Sequence, residues 1–410
     1  MLEVSFMLII LGVFLLGLNL LVINSNNKPK AIKKDKINFC ILIPARYESK
    51  VIEGLLNSIK KQTVKVMMKD VYVIVESQLD ETVNIANKYK ASIFVRAKLN
   101  LQRKGYALDE CIKSILKNKK HYDMYFIIDA DNVLDSNFIL EMIESYKKGY
   151  DITTGYRNCK NASNVVSASS ALTFFMLNTL INQSRIKYSG NVIISGTGFY
   201  IKGELIKKWQ GFPFHSLTED YEITLYSILN SLKTFYNPKA IFYDEQPVSF
   251  KQTKMQRVRW IRGYIDTRKK YINKIKKGLF TCNNMGSRIA EIIGVHPYIL
   301  MIMGLVLYII NIIFHILKAM INNISTTMLI NKLGVILIMA YTIMSLCTLI
   351  IFIKENKQIN INNKMKIKTI FYYPLYLISY IPCAIKALVL KEVKWDIINH
   401  NVNDAIVEKD

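Results

Sequence analysis

The sequence predicts an α/β domain with a mostly parallel sheet, joined to a set of transmembrane helices. Two observations carry this. Between Ile37 and about residue 243, β-branched runs alternate with amphipathic ones, the pattern of a parallel sheet covered by helices on both faces. Outside that region lie four long runs with almost no charge, each near the roughly 20 residues that cross a bilayer as a helix.

The α/β elements follow in order. Asn38–Ile43 is an apolar strand stopped by Pro44, and Val51–Lys61 is a helix. Val71–Val75 is a second strand and Asp80–Tyr89 a second helix. Ala91–Val95, Gly105–Leu116 and Met124–Ile128 continue the alternation, the last ending at Asp129. Ligands in such sheets sit beyond the carboxyl ends of the strands. Three polar motifs fall there: Ala45-Arg46-Tyr47-Glu48, Glu76-Ser77-Gln78-Leu79-Asp80 and Asp129-Ala130-Asp131. There is no solenoid-length repeat, no G-x-G-x-x-G and no Walker loop.

The uncharged runs are Phe6–Ile23, Pro297–Leu317, Leu333–Ile353 and Thr369–Leu390, the last carrying Lys386 near its end. The first lacks a basic n-region and an Ala-x-Ala site, so it is expected to be an anchor rather than a cleaved signal. Pro374 and Pro382 make the fourth the least regular, either kinked or re-entrant. Lysines orient the spans, because positive loops stay in the cytoplasm. Lys28, Lys30, Lys33, Lys34 and Lys36 follow the first span; Lys354, Lys357, Lys364, Lys366 and Lys368 precede the fourth. The expected organisation is an N-terminal span (1–27), a cytoplasmic domain (28–250), an amphipathic interface segment (251–294), three spans (295–390) and an external tail (391–410).

Composition narrows the function classes. Of 410 residues, 51% are apolar, and the mean hydropathy is +0.18. Such a chain buries a core, which excludes a disordered protein. The net charge of +24 asks for an anionic partner. Anionic membrane lipid beside the cytoplasmic lysines meets that demand without nucleic acid. Six scattered cysteines form no C-x-x-C pair or zinc spacing.

Three motifs carry chemistry. Asp129 and Asp131 flank one small residue at a strand end, a spacing that lets two carboxylates share Mg²⁺ or Mn²⁺. Alone, it also describes a solvated acidic turn. Thr218-Glu219-Asp220 opens a helical segment. It reads either as an N-cap with first-turn acids or as a general base, Asp220, at a helix start. Gln256-Arg257-Val258-Arg259-Trp260 sets two arginines beside a tryptophan, suited to a diphosphate and a sugar face. It also reads as a basic stretch on the membrane surface.

Taken together, the D-x-D, the T-E-D, a gap of 35 residues and the Q-R-x-R-W resemble the membrane-embedded glycosyltransferases of family 2. Cellulose, chitin, hyaluronan and poly-N-acetylglucosamine synthases are among these, with some glycolipid synthases. The resemblance covers residue 38 to about 265. It implies a GT-A-type, Rossmann-like domain, a UDP-sugar donor and an inverting hexosyl transfer. By resemblance, Asp131 coordinates the metal, with Asp129 beside it touching the nucleotide. Asp220 is the base, with Glu219 next to it. Gln256, Arg257, Arg259 and Trp260 hold diphosphate and acceptor. Lys104, in Gln102-Arg103-Lys104-Gly105, lies near the nucleotide. Ala45 and Glu48 belong to the first nucleotide loop, where Tyr47 replaces the usual Asn. Glu76 stands where the family has an Asp against uracil. Gly196, Thr197 and Gly198 form a turn near the acceptor. Two outcomes stay open: a β-linked polysaccharide, passed outward with or without accessory membrane subunits, and a glycolipid such as glycosyl-diacylglycerol.

Overall fold

The computed structural model describes residues 30–34, 36–187, 191–280, 297–322 and 327–390, with a few positions among the first ten. Nearly all of the expected first span, the end of the interface segment and the tail from 391 lie outside the described residues.

Eight strands form one sheet: β1 (Phe39–Pro44), β2 (Val71–Val75), β3 (Ser92–Val95), β4 (Met124–Ile127), β5 (Val133–Leu134), β6 (Ile152–Cys159), β7 (Phe199–Lys202) and β8 (Thr234–Asp244). Their order is β3-β2-β1-β4-β7-β6-β8-β5. The first four are parallel. β7 then runs antiparallel to both β4 and β6, and β6 pairs in parallel with β8. The sheet is therefore mixed, with the expected parallel pattern in its N-terminal half.

That half is parallel because its strands are apolar on both sides. In β1, Ile41 and Ile43 enter one core while Cys40 and Leu42 enter the other. Strands buried on both faces read as continuous hydrophobic runs. Helices α1 (Ile52–Lys60) and α4 (Phe138–Lys147) cover the first face; α3 (Lys104–Lys117) and α7 (Gly203–Trp209) cover the second. The helix α2 (Glu81–Lys88) is started by Asp80, whose carboxylate accepts from the Thr82 N–H at 2.9 Å.

After β6, α5 (Val165–Met176) runs into a π-helical stretch, Leu177–Asn182, and then α6 (Gln183–Lys187). The whole of 165–186 is long and apolar enough to cross a membrane, yet over half of its apolar window is buried inside the protein. α8 (Glu219–Leu229) follows β7 and α7, and the long α9 (Phe250–Phe280) follows β8.

α10 (Pro297–Ile321) and α11 (Thr327–Lys354) match two expected spans. The fourth expected run is broken at Ser379 into α12 (Asn363–Ile378) and α13 (Tyr380–Val389). Thus the kink falls between the two prolines. By length and composition, Leu333–Lys354 and Asn363–Val389 can each cross a membrane. The connection after α11 docks on β6. Asn158 donates to the Gln358 carbonyl at 2.7 Å, and Glu355, buried, accepts from Thr179 Oγ1 at 2.8 Å. The lysine-bearing loop and the α/β domain therefore share one side of the helices.

Candidate active site

The D-x-D residues sit just past the end of β4. The Asp129 N–H donates to Thr197 Oγ1 at 2.8 Å, and that hydroxyl donates to Asn132 Oδ1 at 2.6 Å. Asn132 in turn donates to Asp131 Oδ1 and Asp244 Oδ1, both at 3.0 Å. The loop is fixed by buried polar groups with partners, the condition for keeping polar atoms inside a protein. Among the described residues, no group of three metal-ligating side chains converges. Two carboxylates at a strand end suit a hard ion that takes its remaining ligands from phosphate and water.

Lys104, the first residue of α3, reaches across to this loop. Its ammonium pairs with Asp129, donates to the Gly196 carbonyl at 2.7 Å and lies 3.5 Å from Glu219 Oε1. Gly105 lets α3 seat here: a Cβ at that position would run into the Phe214 carbonyl. Burial pulls the Lys104 pKa down, but Asp129 and Glu219 outweigh it, so the net shift is upward and the ammonium stays charged.

Asp220 lies against the Gly196 turn. Gly196 has φ +80, which a side chain resists, and a Cβ there would stand 3.4 Å from Asp220 Oδ2. Asp220 Oδ1 accepts from the Tyr221 N–H at 2.8 Å. Burial raises its proton affinity, opposed by that N–H and by the charges of Lys104, Arg157 and Arg259. Burial likewise lifts Glu219 to about 7; Lys104 opposes the rise and Asp220 adds to it. Thr218 occupies the N-cap position of α8 but makes no capping hydrogen bond. The capping reading of Thr218-Glu219-Asp220 therefore fails at the threonine.

The structure brings together Lys104, Asp129, Asp131, Gly196, Thr197, Glu219 and Asp220. Gly198 closes the same turn, with φ +65. The first loop lies at the neighbouring strand ends. Buried Ala45 donates its N–H to the Ile74 carbonyl at 2.8 Å, and the Glu48 N–H reaches Thr82 Oγ1 at 3.0 Å. Tyr47 takes φ +60, held by its N–H on Asp80 Oδ2 at 3.0 Å. Glu76 is engaged by two arginines, Arg46 at 3.0 Å and Arg96 at 3.4 Å.

On α9 the expected cluster divides. Arg259 acts on Asp220 through its charge. Trp260 meets Phe174 of α5 edge-on, with ring centroids 6.0 Å apart. Gln256 is half-buried on the same helix. Arg257, expected at the diphosphate, points elsewhere. It is buried between the rings of Tyr376 and Tyr380, 3.7 and 4.1 Å from their centroids, and bonds Ser379 Oγ. It pins α9 to the α12–α13 break.

Three residues at the site were missed by the motif reading: Asn132, Arg157 and Asp244. Arg157 donates to Asp244 Oδ2 through Nε at 2.9 Å and Nη2 at 2.5 Å, and to the Ser195 carbonyl at 2.8 Å. An arginine inside a strand that is otherwise buried was a readable signal, since such charges are buried only when paired.

Residues 37–263 match the family described as glycosyltransferase like family 2. The poly-beta-1,6-N-acetyl-D-glucosamine synthase of Staphylococcus aureus is 26% identical over 245 residues, 58% of this chain and 58% of that protein. Its namesake in Staphylococcus epidermidis is 25% identical over 227 residues, 54% of this chain and 53% of that one. The chain thus spans little more than half the length of these relatives in the match. Among solved structures, the mannosyltransferase PcManGT of Pyrobaculum calidifontis, in complex with GDP-Man and Mn²⁺, superposes with a TM-score of 0.54. It is 14% identical, and the superposition covers 95% of this chain and 100% of that one. The shared architecture is the GT-A fold. With more than half of its length inside the family match, the chain belongs to glycosyltransferase family 2.

Proposed function

We propose that the chain is an inverting glycosyltransferase that moves an N-acetylhexosamine or hexose from a UDP-sugar onto a growing β-linked polysaccharide. The observation that carries this is one buried cluster around Gly196, where Asp220 faces the Lys104–Asp129 pair. It sets a proton acceptor beside the groups that would receive a diphosphate. The staphylococcal relatives favour N-acetylglucosamine as the sugar.

Each residue then has one task. Asp131 and Asp129 supply oxygen ligands for Mg²⁺ or Mn²⁺, and the Mn²⁺ in the Pyrobaculum relative supports that choice. When bound, such an ion neutralises charge on the leaving diphosphate. Lys104, Arg259 and Gln256 face the same phosphates with fixed donors. Ala45, Glu48 and Glu76 line the nucleotide side. Asp220 takes the proton of the acceptor hydroxyl as its oxygen attacks the anomeric carbon. The sugar–phosphate bond breaks with its electron pair leaving on UDP. A single displacement inverts the anomeric centre. Burial raises the proton affinity of Asp220 toward the working pH, which suits a base. Trp260 and Phe174 offer aromatic edges to the acceptor sugar, with Thr197 and Gly198 beneath.

The domain lies on the cytoplasmic face of the cell membrane, because the lysine-rich loop after α11 docks on β6 and positive loops stay inside. A second reading is a lipid glycosyltransferase. The break at Ser379 favours it, since among the described residues it interrupts one of the helices long enough to cross.

The test uses the full chain in lipid nanodiscs with UDP-N-acetylglucosamine, UDP-glucose and UDP-galactose. UDP release with a long, water-soluble product supports the polysaccharide. A short product extracted into organic solvent supports the lipid acceptor. No UDP release from any of the three refutes both.

A further inference from the structure

The proposed chemistry assigns no task to Arg157, yet this cation contacts Asp244, the Ser195 carbonyl and the Phe174 ring. It lies near the end of β6 with 14% of its side chain exposed, and its partner Asp244 has 4%. Two guanidinium nitrogens bind one carboxylate oxygen of Asp244, at 2.9 and 2.5 Å. The other Asp244 oxygen accepts from Asn132, which also holds Asp131 and Thr197. The third guanidinium nitrogen donates to the Ser195 carbonyl at 2.8 Å, immediately before the glycine that abuts Asp220. The guanidinium face lies over the Phe174 ring, 3.7 Å from its centroid, and Phe174 in turn meets Trp260.

The planar fork explains why an arginine stands here. Lysine presents a point charge, whereas the guanidinium holds a carboxylate, a carbonyl and a ring face together in fixed directions. The ring stacking alone would fix one torsion of Phe174; the carbonyl bond fixes the turn. With both, the 195–198 turn, the 129–132 loop and the Phe174–Trp260 wall have one common reference.

We propose that Arg157 is the positioning residue of this site, holding the Gly196 turn and the Phe174–Trp260 wall in register with the D-x-D loop through its pair with Asp244. Resting on the glycosyl-transfer reading, the role has two signatures. One is local order in the turn, which needs no turnover. The other is a loss in kcat with little change in donor KM, because the donor groups themselves stay in place. Misplacing reacting groups by about 1 Å costs about 10²-fold in rate.

The experiment compares wild type, Arg157→Gln and Arg157→Lys as full chains in nanodiscs. Hydrogen exchange is followed at residues 195–198, and UDP release is measured against UDP-sugar concentration. Arg157→Gln should raise exchange in the turn about tenfold or more while β1 and β4 stay protected. It should also lower kcat about 10²-fold, with donor KM within about threefold. Arg157→Lys should recover part of the rate, since it keeps the charge facing Asp244. Unchanged exchange in 195–198 in Arg157→Gln overturns the proposal. So does a loss of protection spread through β1 and β4, which marks a merely structural arginine. If wild type releases no UDP, the proposed function fails, but the exchange data still decide the role of Arg157.

Discussion

Replacing Glu219 with glutamine should make the protein more stable at alkaline pH while changing little at acid pH. Glu219 opens α8 with 11% of its side chain exposed, and burial lifts its pKa from the ordinary 4.5 to about 7. A carboxyl whose folded pKa is raised binds its proton more tightly in the native state. Its contribution is therefore fully present below the unfolded value and lost as pH rises through about 7. The shift corresponds to about 3.5 kcal/mol at most, at about 1.4 kcal/mol per pH unit. Lys104 retains Asp129 and the Gly196 carbonyl in the variant, so removing Glu219 strands no cation. Glutamine carries no charge to desolvate. The gap between Glu219→Gln and wild type should stay under about 1 kcal/mol at pH 5 and grow to about 3 kcal/mol at pH 8. For a domain of this size that is a rise in Tm of about 4–10 °C. The assay is thermal unfolding of both full-length proteins in the same detergent at pH 5, 6.5 and 8. An equal Tm difference at all three values, or a less stable variant at pH 8, refutes the reasoning.

Three further outcomes are expected. Asp220→Asn should lower UDP release about 10²–10⁴-fold, the range for losing a general base, while UDP affinity by calorimetry stays within about threefold; near-normal turnover would remove the catalytic assignment. Asp131→Asn should abolish turnover, because an amide is a poor substitute for a carboxylate on Mg²⁺ or Mn²⁺, and EDTA should do the same to wild type; full activity in EDTA would refute metal use. Arg257→Ala should destabilise the protein by about 2 kcal/mol or more through its lost stacking and its Ser379 bond, whereas Arg259→Ala should keep the wild-type Tm and lose UDP affinity. Equal stability losses in the two would contradict their separate placement.

How much of this was legible depended on which signal was used. The parallel half of the sheet was readable, because strands buried on both faces have to be continuous apolar runs, and FCILIP and VYVIV are. The turn from parallel to mixed pairing at β7 was not, since period alone does not give strand direction. Val165–Ile186 does not read as an apolar run because Ser167, Ser169, Ser170 and Thr173 interrupt it. Those hydroxyls face protein instead: Ser170 donates to Gln246 Oε1 at 2.8 Å. The separate placement of Arg257 follows from helix geometry. On a helix, positions i, i+3 and i+4 share a face, so Gln256, Arg259 and Trp260 align while Arg257 is turned by about 100°. Reading the motif as five adjacent letters hid its geometry.

The strand that broke the expected parallel pattern is also the one that builds the site. Had β7 been parallel to β4, the residues before it would lie at the opposite edge of the sheet. Being antiparallel, with Phe199 opposite Ile127, β7 starts where β4 ends. Its leading turn, 195–198, therefore folds directly over Asp129, and the Gly198 N–H donates to the Ile127 carbonyl at 3.0 Å. The same reversal orients β6. It runs antiparallel to β7, so its C-terminal end, with Arg157, returns to the same edge. β8 is parallel to β6 and delivers Asp244 there, opposite Cys159. Four strand ends of mixed direction thus meet at one edge, and each contributes a charged or turn-forming residue. A wholly parallel sheet reaches such an edge only through long helical crossovers. The mixed half brings the D-x-D loop, the glycine turn and the Arg157–Asp244 pair within hydrogen-bond distance through the sheet ladder itself, and ladder hydrogen bonds hold them in register.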